Sequence, residues 1–367
     1  MNKKTNLMFV LVSAVLTLLM MLLPGEAPLG KADPIPRERV RVLTVDNSML
    51  DPLGIVYSGV QQCTAEVLSG PHKGQVVPAA NFLNSDMEKD KLYQPGDRAV
   101  AMVHHRGEVL SVTLIDLDRA PQMGLMLLGY MVLLVVFAGF SGVGALVSLL
   151  ASAVMLWKVY IPLLLKGASP IPSALLLVLL LNCIIAFSVA GFSRLAVSAV
   201  LGSLLGTVAT LLLSMLFAHI LRLDGTTISH VSPLLSQSGL QLDIRGVYLA
   251  MTFIGASGAL TDLGMDIAAS CYEVQVHAPH ITGRELRRAG FSVGRTVIGT
   301  MTTTLVMAYS GNFLTMLMYY QGQGTPLIDI FSYRFVAAEL MSVLVGAFGL
   351  LAVAPLTACV CGWLYTR

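Results

Sequence analysis

The sequence contains few charged residues. Asp, Glu, Lys and Arg make up 12% of the 367 residues, whereas about a quarter is usual in soluble domains. Hydrophobic residues make up 55%, and the mean hydropathy is +0.76. This composition is not that of a soluble globular domain, and it predicts a protein that crosses a membrane several times.

The sequence also has few cysteines and only a small net positive charge. The 5 cysteines show neither a disulfide framework nor the spacing of zinc ligands. Cys359-Val360-Cys361 is better explained by a packed or lipid-facing pair than by a metal site. A net charge of +2 without a clustered basic face argues against a nucleic-acid partner. We therefore expect no bound metal and no cofactor.

Common catalytic motifs are missing too. The sequence has no Walker loop and no His-Glu-x-x-His. The Gly-x-Gly-Asp signature of intramembrane aspartyl proteases is also missing. We expect no enzyme; an intramembrane enzyme is the least favoured hypothesis, since it needs catalytic groups that converge in a cavity.

The first third of the chain contains one apolar segment and one β-rich segment. The apolar run from Leu7 to Leu23 is at the short end for a span, and the residues after it contain no convincing small-x-small cleavage site. We therefore interpret residues 1–23 as an uncleaved signal-anchor helix rather than a cleaved signal peptide. Residues 24–121 alternate between apolar and polar positions and are punctuated by Gly and Pro. This pattern predicts a small barrel of the oligonucleotide-binding or SH3 type. The predicted strands are Arg39–Val45, Gln62–Leu68, Val76–Ala80, Ala99–His104 and Val109–Ile115.

Residues 122–367 are almost continuously apolar and predict a helical membrane domain. With the first helix, the predicted spans make an α-helical polytopic protein of about eight transmembrane helices. The division of 123–162 into two spans depends on Phe140–Gly144 alone, and a single long helix is the alternative. The predicted spans are 123–139, 142–162, 171–190, 195–219, 247–267, 293–319 and 335–363.

Lysine and arginine predict the orientation of these spans. The N-terminus, Arg194, residues 268–295 and Arg367 contain more of these residues than the short loops on the other side, when the long β-rich segment is left out. Basic residues are enriched in cytoplasmic loops. We therefore predict a bacterial plasma-membrane protein with both termini in the cytoplasm and residues 24–121 outside it.

Asp262 and Asp266 are the acids expected at membrane depth. They are four residues apart and share one helix face. Because charge within a bilayer is costly, this pair predicts a site that handles a proton or another cation. The alternative is that the helix ends near Gly264, which would leave Asp266 in solvent.

Arg295 begins the next predicted span at the depth predicted for Asp262. It either pairs with Asp262 or extends to the membrane surface. Threonines follow on one side at helical spacing, and they either line a polar path or bond to the helix backbone and pack. These candidates are Thr296, Thr300, Thr303 and Thr304.

Three further polar residues fall in the predicted spans. Glu339 is either the outer counterpart of Asp262 within the bilayer or an acid at the interface. Asn312 is a candidate for the same polar path. We interpret Asn182 as a residue that makes hydrogen bonds between packed helices.

The membrane domain resembles the YibE/F-like bacterial membrane proteins, mainly in its last three spans. The resemblance implies the helical architecture and the single outer domain, and little about mechanism. It is carried by Gly255–Ser270, Gly294–Leu305, a turn at Ala308–Asn312, Glu339 and Pro355-Leu356-Thr357-Ala358.

A second, weaker resemblance is to the SecD/SecF-type proton-driven permease halves. An acid-bearing helix, a short Arg-rich cytoplasmic helix at Gly283–Gly290 and a Thr-rich helix after Gly-Arg-Thr are similar to theirs. Two extra spans and a small outer domain depart from that pattern. The resemblance implies a shared energy-coupling core and a possible second half, either a homologous subunit or another copy of the chain.

Two main hypotheses for function follow. The leading one is a membrane transporter or permease-like subunit coupled to protons or ions, with Asp262 as the titrating group. The alternative is a non-transporting membrane scaffold or sensor, whose outer domain binds a partner or an envelope component and whose acids only stabilise helix packing.

Overall fold

The structure, a computed structural model, describes residues 3–22, 37–106, 109–236 and 242–365. The chain divides into two compact units. One comprises Pro28–Leu133, and the other comprises Met1–Ala27 together with Leu134–Arg367. The first contains the β-structure and the second contains most of the helices.

The first unit contains a six-stranded sheet. All five predicted strands are confirmed, although most are longer than predicted. The additional strand is β2, which the sequence analysis missed because Pro52 is unusual in a strand interior. The strands are β1 (Arg37–Asp46), β2 (Leu50–Leu53), β3 (Val56–Val67), β4 (Val76–Asn84), β5 (Arg98–Arg106) and β6 (Val109–Leu117).

Five of these strands close into a barrel. Their order is β1-β5-β6-β4-β3, and β1 also pairs with β3, while β2 only extends the hairpin of β3. β4 and β6 are parallel at Ala79–Val112 and Ala80–Thr113, and the other pairings are antiparallel. This closed Greek-key order is that of the oligonucleotide-binding fold, one of the two predicted types. Topology alone assigns no ligand.

The barrel interior is mostly apolar, and Glu38, Gln61 and Asn81 are its buried polar side chains among the described residues. Inward residues alternate with outward ones, as Val40 and Val42 do in β1. Gln61 is fully buried; its Nε2 donates to Asn47 Oδ1 at 2.9 Å and to the Tyr93 carbonyl at 3.0 Å. Its Oε1 accepts from Asn81 Nδ2 and from the Tyr93 amide, each at 3.0 Å. Gln61 therefore connects β3 to β4 and to the loop that carries Tyr93.

The second unit is helical. α2 crosses the division between the units, and a π-helical turn at Met155–Tyr160 joins it to α3. The helices are α1 (Lys3–Leu22), α2 (Ala120–Val154), α3 (Ile161–Leu165), α4 (Pro170–Ala190), α5 (Arg194–Ile220), α6 (Val231–Ser236), α7 (Ile244–His277), α8 (Gly283–Gly322), α9 (Leu327–Ser332) and α10 (Arg334–Leu364).

Six helical segments in the described part of the chain are long and apolar enough to cross a membrane, which is the pattern of a membrane-embedded protein. Two of the eight predicted spans are not among them. The apolar part of α1 covers only Phe9–Leu22, and α8 carries too many threonines and glycines. The six are Ala120–Gly139, Gly142–Leu165, α4, α5, α7 and α10.

α2 is interrupted at Gly139. This residue has φ 57° and ψ −133°, outside the helical region, and glycine reaches positive φ at little cost. The predicted division of 123–162 into two segments is therefore confirmed. The alternative of one long straight helix is wrong.

Small residues bring α5 and α10 close together. A Cβ at Gly202 would contact Thr357, including its Cα at 2.8 Å, and a Cβ at Gly206 would contact Val353. Farther along, Gly349 of α10 faces Thr210 of α5. Glycine on either helix thus permits an approach that larger residues would block.

α7 and α8 are longer than predicted. α7 continues past Asp266 to His277, so the alternative that it ends near Gly264 is wrong. α8 begins after Thr282, whose side chain forms a capping box with Glu285, and it runs without a break to Gly322. The Arg-rich helix predicted at Gly283–Gly290 and the turn predicted at Ala308–Asn312 are both part of this one helix.

Candidate functional site

A buried polar network joins α4, α5 and α7. Asn182 Nδ2 donates to Ser203 Oγ at 3.2 Å, and Thr261 Oγ1 donates to Asn182 Oδ1 at 2.5 Å. All three side chains are buried. Each helix contributes one member, so the network stabilises their packing, and the interpretation of Asn182 as a packing residue is confirmed.

The other side of α7 is not covered by the parts of the chain that the structure describes. Met251, Gly255, Gly258, Asp262 and Asp266 succeed one another at spacings of three or four residues, and all five are exposed. Thr261 points into the bundle while its neighbour Asp262 is on the outer side. We call these five residues the acidic face of α7.

A polar face also runs along α8. The exposed residues Thr296, Thr300, Thr303 and Thr304 share it, and the exposed Arg295 directly precedes Thr296. Each of these threonine hydroxyls donates to a carbonyl of its own helix at 2.9–3.2 Å. The threonines therefore bond to the backbone, as one interpretation predicted, yet they are not packed between helices of this chain. We call these four threonines the threonine face of α8.

The structure does not pair Asp262 with Arg295. Within the described ranges, neither residue has an oppositely charged partner within 4.0 Å. A Cβ at Gly294 would be 3.5 Å from Ile267 Cδ1, which places Asp266 and Arg295 at the same level of the antiparallel helices. Asp262 is one turn away, about 6 Å along the axis. Arg295 therefore lies at the level of Asp266, and not at the level of Asp262 as predicted.

Glu339 lines a polar cleft of about 350 Å³ at one end of α7 and α10. Inside it, Thr252 and Ser342 share a hydrogen bond of 3.3 Å, and Tyr248 Oη donates to the Ala338 carbonyl at 2.8 Å. Tyr309 Oη faces Gly255, the second residue of the acidic face. The cleft is lined by Thr227, Ile228, Ser229, Tyr248, Met251, Thr252, Tyr309, Ala338, Glu339 and Ser342.

The cleft and the acidic face are continuous, because Met251 belongs to both. The sequence analysis missed Tyr248, Thr252 and Ser342. Their signal was helical spacing: Thr252 is four residues after Tyr248, and Ser342 is three after Glu339. Asn312 is in α8, but its side chain lies outside the described part of the structure.

Carboxylates and hydroxyls determine what this arrangement can do. A carboxylate can bind a proton or a cation, and hydroxyl oxygens can accept hydrogen bonds along a path for either. Among the described residues no group of three or more His, Cys, Asp and Glu is placed to hold a metal ion. Carboxylates and hydroxyls in this arrangement are chemically able to bind a proton or a cation reversibly.

The membrane part of the chain has the sequence of a known family. The YibE/F-like protein family matches residues 126–367, which cover α3 to α10 and nearly all of α2. The chain belongs to this family, and the predicted resemblance is confirmed. Neither a curated protein nor a solved structure matches the chain.

Proposed function

We propose that this protein is a membrane transporter or permease-like subunit coupled to protons or other cations. Asp262 is the principal coupling group, and Asp266 is the second. Glu339 is the acid at the mouth of the path. The threonine face, together with Asn312, forms the polar wall opposite.

One observation carries the proposal. Asp262 and Asp266 are exposed near the middle of a helix long and apolar enough to span a membrane, and neither has a positive partner within 4.0 Å in the described residues. An ionised carboxylate within a bilayer costs about 3 kcal/mol on insertion scales. Binding a proton or a cation neutralises the carboxylate and removes this cost. Exposure of the site to the membrane is therefore favourable only when the proton or cation is bound.

Continuity with the Glu339 cleft supports a path. Met251, at the cleft, is followed along the face by two glycines before Asp262. A Cβ at Gly258 would meet no atom within 4 Å, and Tyr309 Oη lies against Gly255, so the face is open beside Asp262 and bordered by a hydroxyl nearer the cleft. A proton or cation that enters at Glu339 reaches Asp262 without crossing the packed interior.

A second membrane subunit completes the site in this proposal. Asp266 on the acidic face and Arg295 beside the threonine face carry opposite charges at one level. At a twofold interface Asp266 of each copy faces Arg295 of the other copy, as self-complementary surfaces require. The partner is a second copy of the chain or a homologous subunit, and it shields these faces from lipid.

The topology proposed is that of eight spans in a bacterial plasma membrane, with both termini in the cytoplasm. α1 and α8 cross together with the six apolar segments. The barrel is then extracytoplasmic, because α1 and Ala120–Gly139 precede and follow it in the chain. The loops that this orientation places in the cytoplasm contain more lysine and arginine than the short loops on the opposite side, which supports it.

Proton flux in proteoliposomes tests the function. Wild type, Asp262→Asn and Asp329→Asn are reconstituted, and an internal pH dye follows flux under an imposed pH gradient. Asp329, an exposed acid in α9, is the matched control because it lies outside the proposed path. We expect flux in wild type and the control and none in Asp262→Asn. Full flux in a correctly folded Asp262→Asn variant overturns the role of Asp262.

A scaffold or sensor is the second candidate, and a groove on the barrel favours it. The groove measures about 460 Å³ and lies over β3, β4 and β6, with Phe82 and His104 at its rim. An outer domain that binds an envelope component could use it. If Phe82→Ala abolishes cellular function while Asp262→Asn preserves it, the scaffold hypothesis replaces the transporter.

A further inference from the structure

A basic cavity lies where α8 begins and α10 ends, away from the acidic face. Its volume is about 700 Å³, and Arg284, Arg287, Cys359 and Trp363 contribute to its walls. Arg284 and Arg287 are three residues apart and share one side of α8. In the described residues neither guanidinium has a carboxylate within 4.0 Å. The cavity thus concentrates positive charge without an internal counter-ion.

The close contact between the two helices forms the cavity and orients Arg287. A Cβ at Gly362 would be 2.5 Å from Arg287 Cγ and 2.8 Å from the Gly283 carbonyl oxygen, so only glycine permits this approach. Arg287 Nε donates to that same carbonyl at 3.2 Å. This bond occupies one of the five N–H donors of the guanidinium and leaves the terminal nitrogens for a ligand.

Glu285, the acid nearest to these arginines in the sequence, does not pair with either of them. Glu285 Oε2 accepts from the Thr282 amide at 2.9 Å and from the Thr282 hydroxyl at 2.7 Å. It therefore caps α8 instead of neutralising the arginines.

Position relative to the membrane indicates the source of the anion. α10 is a candidate span that ends at Leu364, so the cavity lies at an end of the apolar zone. Cys359 and Trp363 are both exposed, four residues apart on one side of α10, and Trp363 is 51% exposed. Tryptophan is enriched at the boundary between hydrocarbon and headgroups. An anion in this cavity is reached from the bilayer.

We propose that this cavity binds the phosphate of an anionic membrane lipid, held by Arg284 and Arg287 with Trp363 against the lipid chains. Arginine forms two parallel hydrogen bonds to phosphate oxygens, which suits this pair of side chains. Basic pockets between membrane helices are known sites for anionic headgroups. The inference does not depend on transport.

Lipid-dependent stability tests the site in the full chain. Thermal unfolding in detergent is measured with added phosphatidylglycerol, phosphatidylcholine or inorganic phosphate, for wild type and for Arg284→Gln/Arg287→Gln. The double variant Arg222→Gln/Arg245→Gln, which loses the same charge near the other ends of α5 and α7, is the control. We expect phosphatidylglycerol to stabilise wild type and control, and to bind the cavity variant about 10- to 30-fold more weakly.

Two results overturn the proposal. Equal stabilisation of all three proteins by phosphatidylglycerol shows that the cavity is not the site. Full stabilisation by inorganic phosphate alone shows a site for free phosphate and not for lipid.

A fluorescence measurement keeps the test valid if the arginine variant fails to fold. The chain has 2 tryptophans, so Trp157→Phe leaves Trp363 as the only one. In mixed bilayers we expect brominated phosphatidylglycerol to quench Trp363 more than brominated phosphatidylcholine does. Equal quenching by the two lipids contradicts the proposal.

Discussion

Thr261 donates a 2.5 Å hydrogen bond to Asn182, and the next residue in the chain, Asp262, lies outside the bundle. The two adjacent residues of α7 therefore have different environments. Thr261 connects helices through a buried network, whereas the side chain of Asp262 forms no hydrogen bond or ion pair with the described residues. Substitutions at these neighbours should separate stability from function.

Replacing Asn182 should destabilise the bundle. Asn182→Ala leaves Thr261 and Ser203 without their shared partner, and polar bonds between membrane helices contribute about 0.6–2 kcal/mol. We expect a lower midpoint of thermal unfolding in detergent. Asp262→Asn is the matched control and should keep the wild-type midpoint. An equal loss in both variants would assign Asp262 to packing and favour the scaffold hypothesis.

Enlarging Gly202 should weaken the contact between α5 and α10. The added methyl group of Gly202→Ala would lie 2.8 Å from Thr357 Cα, and such overpacking costs about 1–3 kcal/mol. Gly129→Ala in α2 meets no atom within 4 Å and should be neutral or slightly stabilising because alanine favours helix. Thermal unfolding of the two variants checks the difference. A stable Gly202→Ala protein would show that the helices are not this close.

Removing Gln61 should open the barrel. Gln61→Ala leaves the backbone carbonyl and amide of Tyr93 without their partner, at about 1–3 kcal/mol for each unsatisfied group, and removes one hydrogen bond of Asn81. Hydrogen exchange of the full chain should then speed up in β3 and β4. Gln62→Ala, whose side chain is on the outside of the same strand, should leave exchange unchanged. Identical exchange in both variants would contradict the role of Gln61.

Asp224 should make stability depend on pH in acid. Hydrogen bonds from Thr226, followed by the ion pair with Arg334, lower its pKa from 3.8 to about 2. A lowered pKa means that its contribution is present above pH 3.8 and is lost as the pH falls towards 2.

Asp224→Asn should therefore lower the unfolding midpoint at pH 7. Because Asp224 is largely exposed, the loss should be about 1 kcal/mol at most. The difference from wild type should shrink between pH 4 and pH 2, as that lowered pKa requires. A difference that stays constant down to pH 2 would exclude the carboxylate as its cause.

Local signals predicted many of the elements. Alternation with turn residues located the five barrel strands, and the glycines at 142 and 144 marked the region where α2 is interrupted, although the break itself is at Gly139. β2 was missed because a four-residue strand with a proline gives no alternation to detect. Its pairing with β3 is a tertiary effect.

Contacts between helices could not be predicted from apolar runs. The sequence analysis ended this span at residue 267 because polar residues follow Asp266. α7 nevertheless extends to His277, since polar residues are compatible with an exposed helical segment. The relative level of Arg295 and the two acids depends on which residues of α7 and α8 touch. The contacts of Ile267 with Gly294 and of Cys271 with Gly290 reveal that level.

Water accessibility of the acidic face tests the central claim most directly. Gly258→Cys places a thiol on this face beside Asp262 without a steric clash, in a Cys359→Ser background that removes the exposed native thiol. Leu212→Cys, exposed on α5 and facing lipid in this account, is the control. In intact membranes a water-soluble maleimide should label Gly258→Cys and not Leu212→Cys. Failure to label Gly258→Cys in the folded protein would show that no aqueous path reaches Asp262 from the Glu339 cleft.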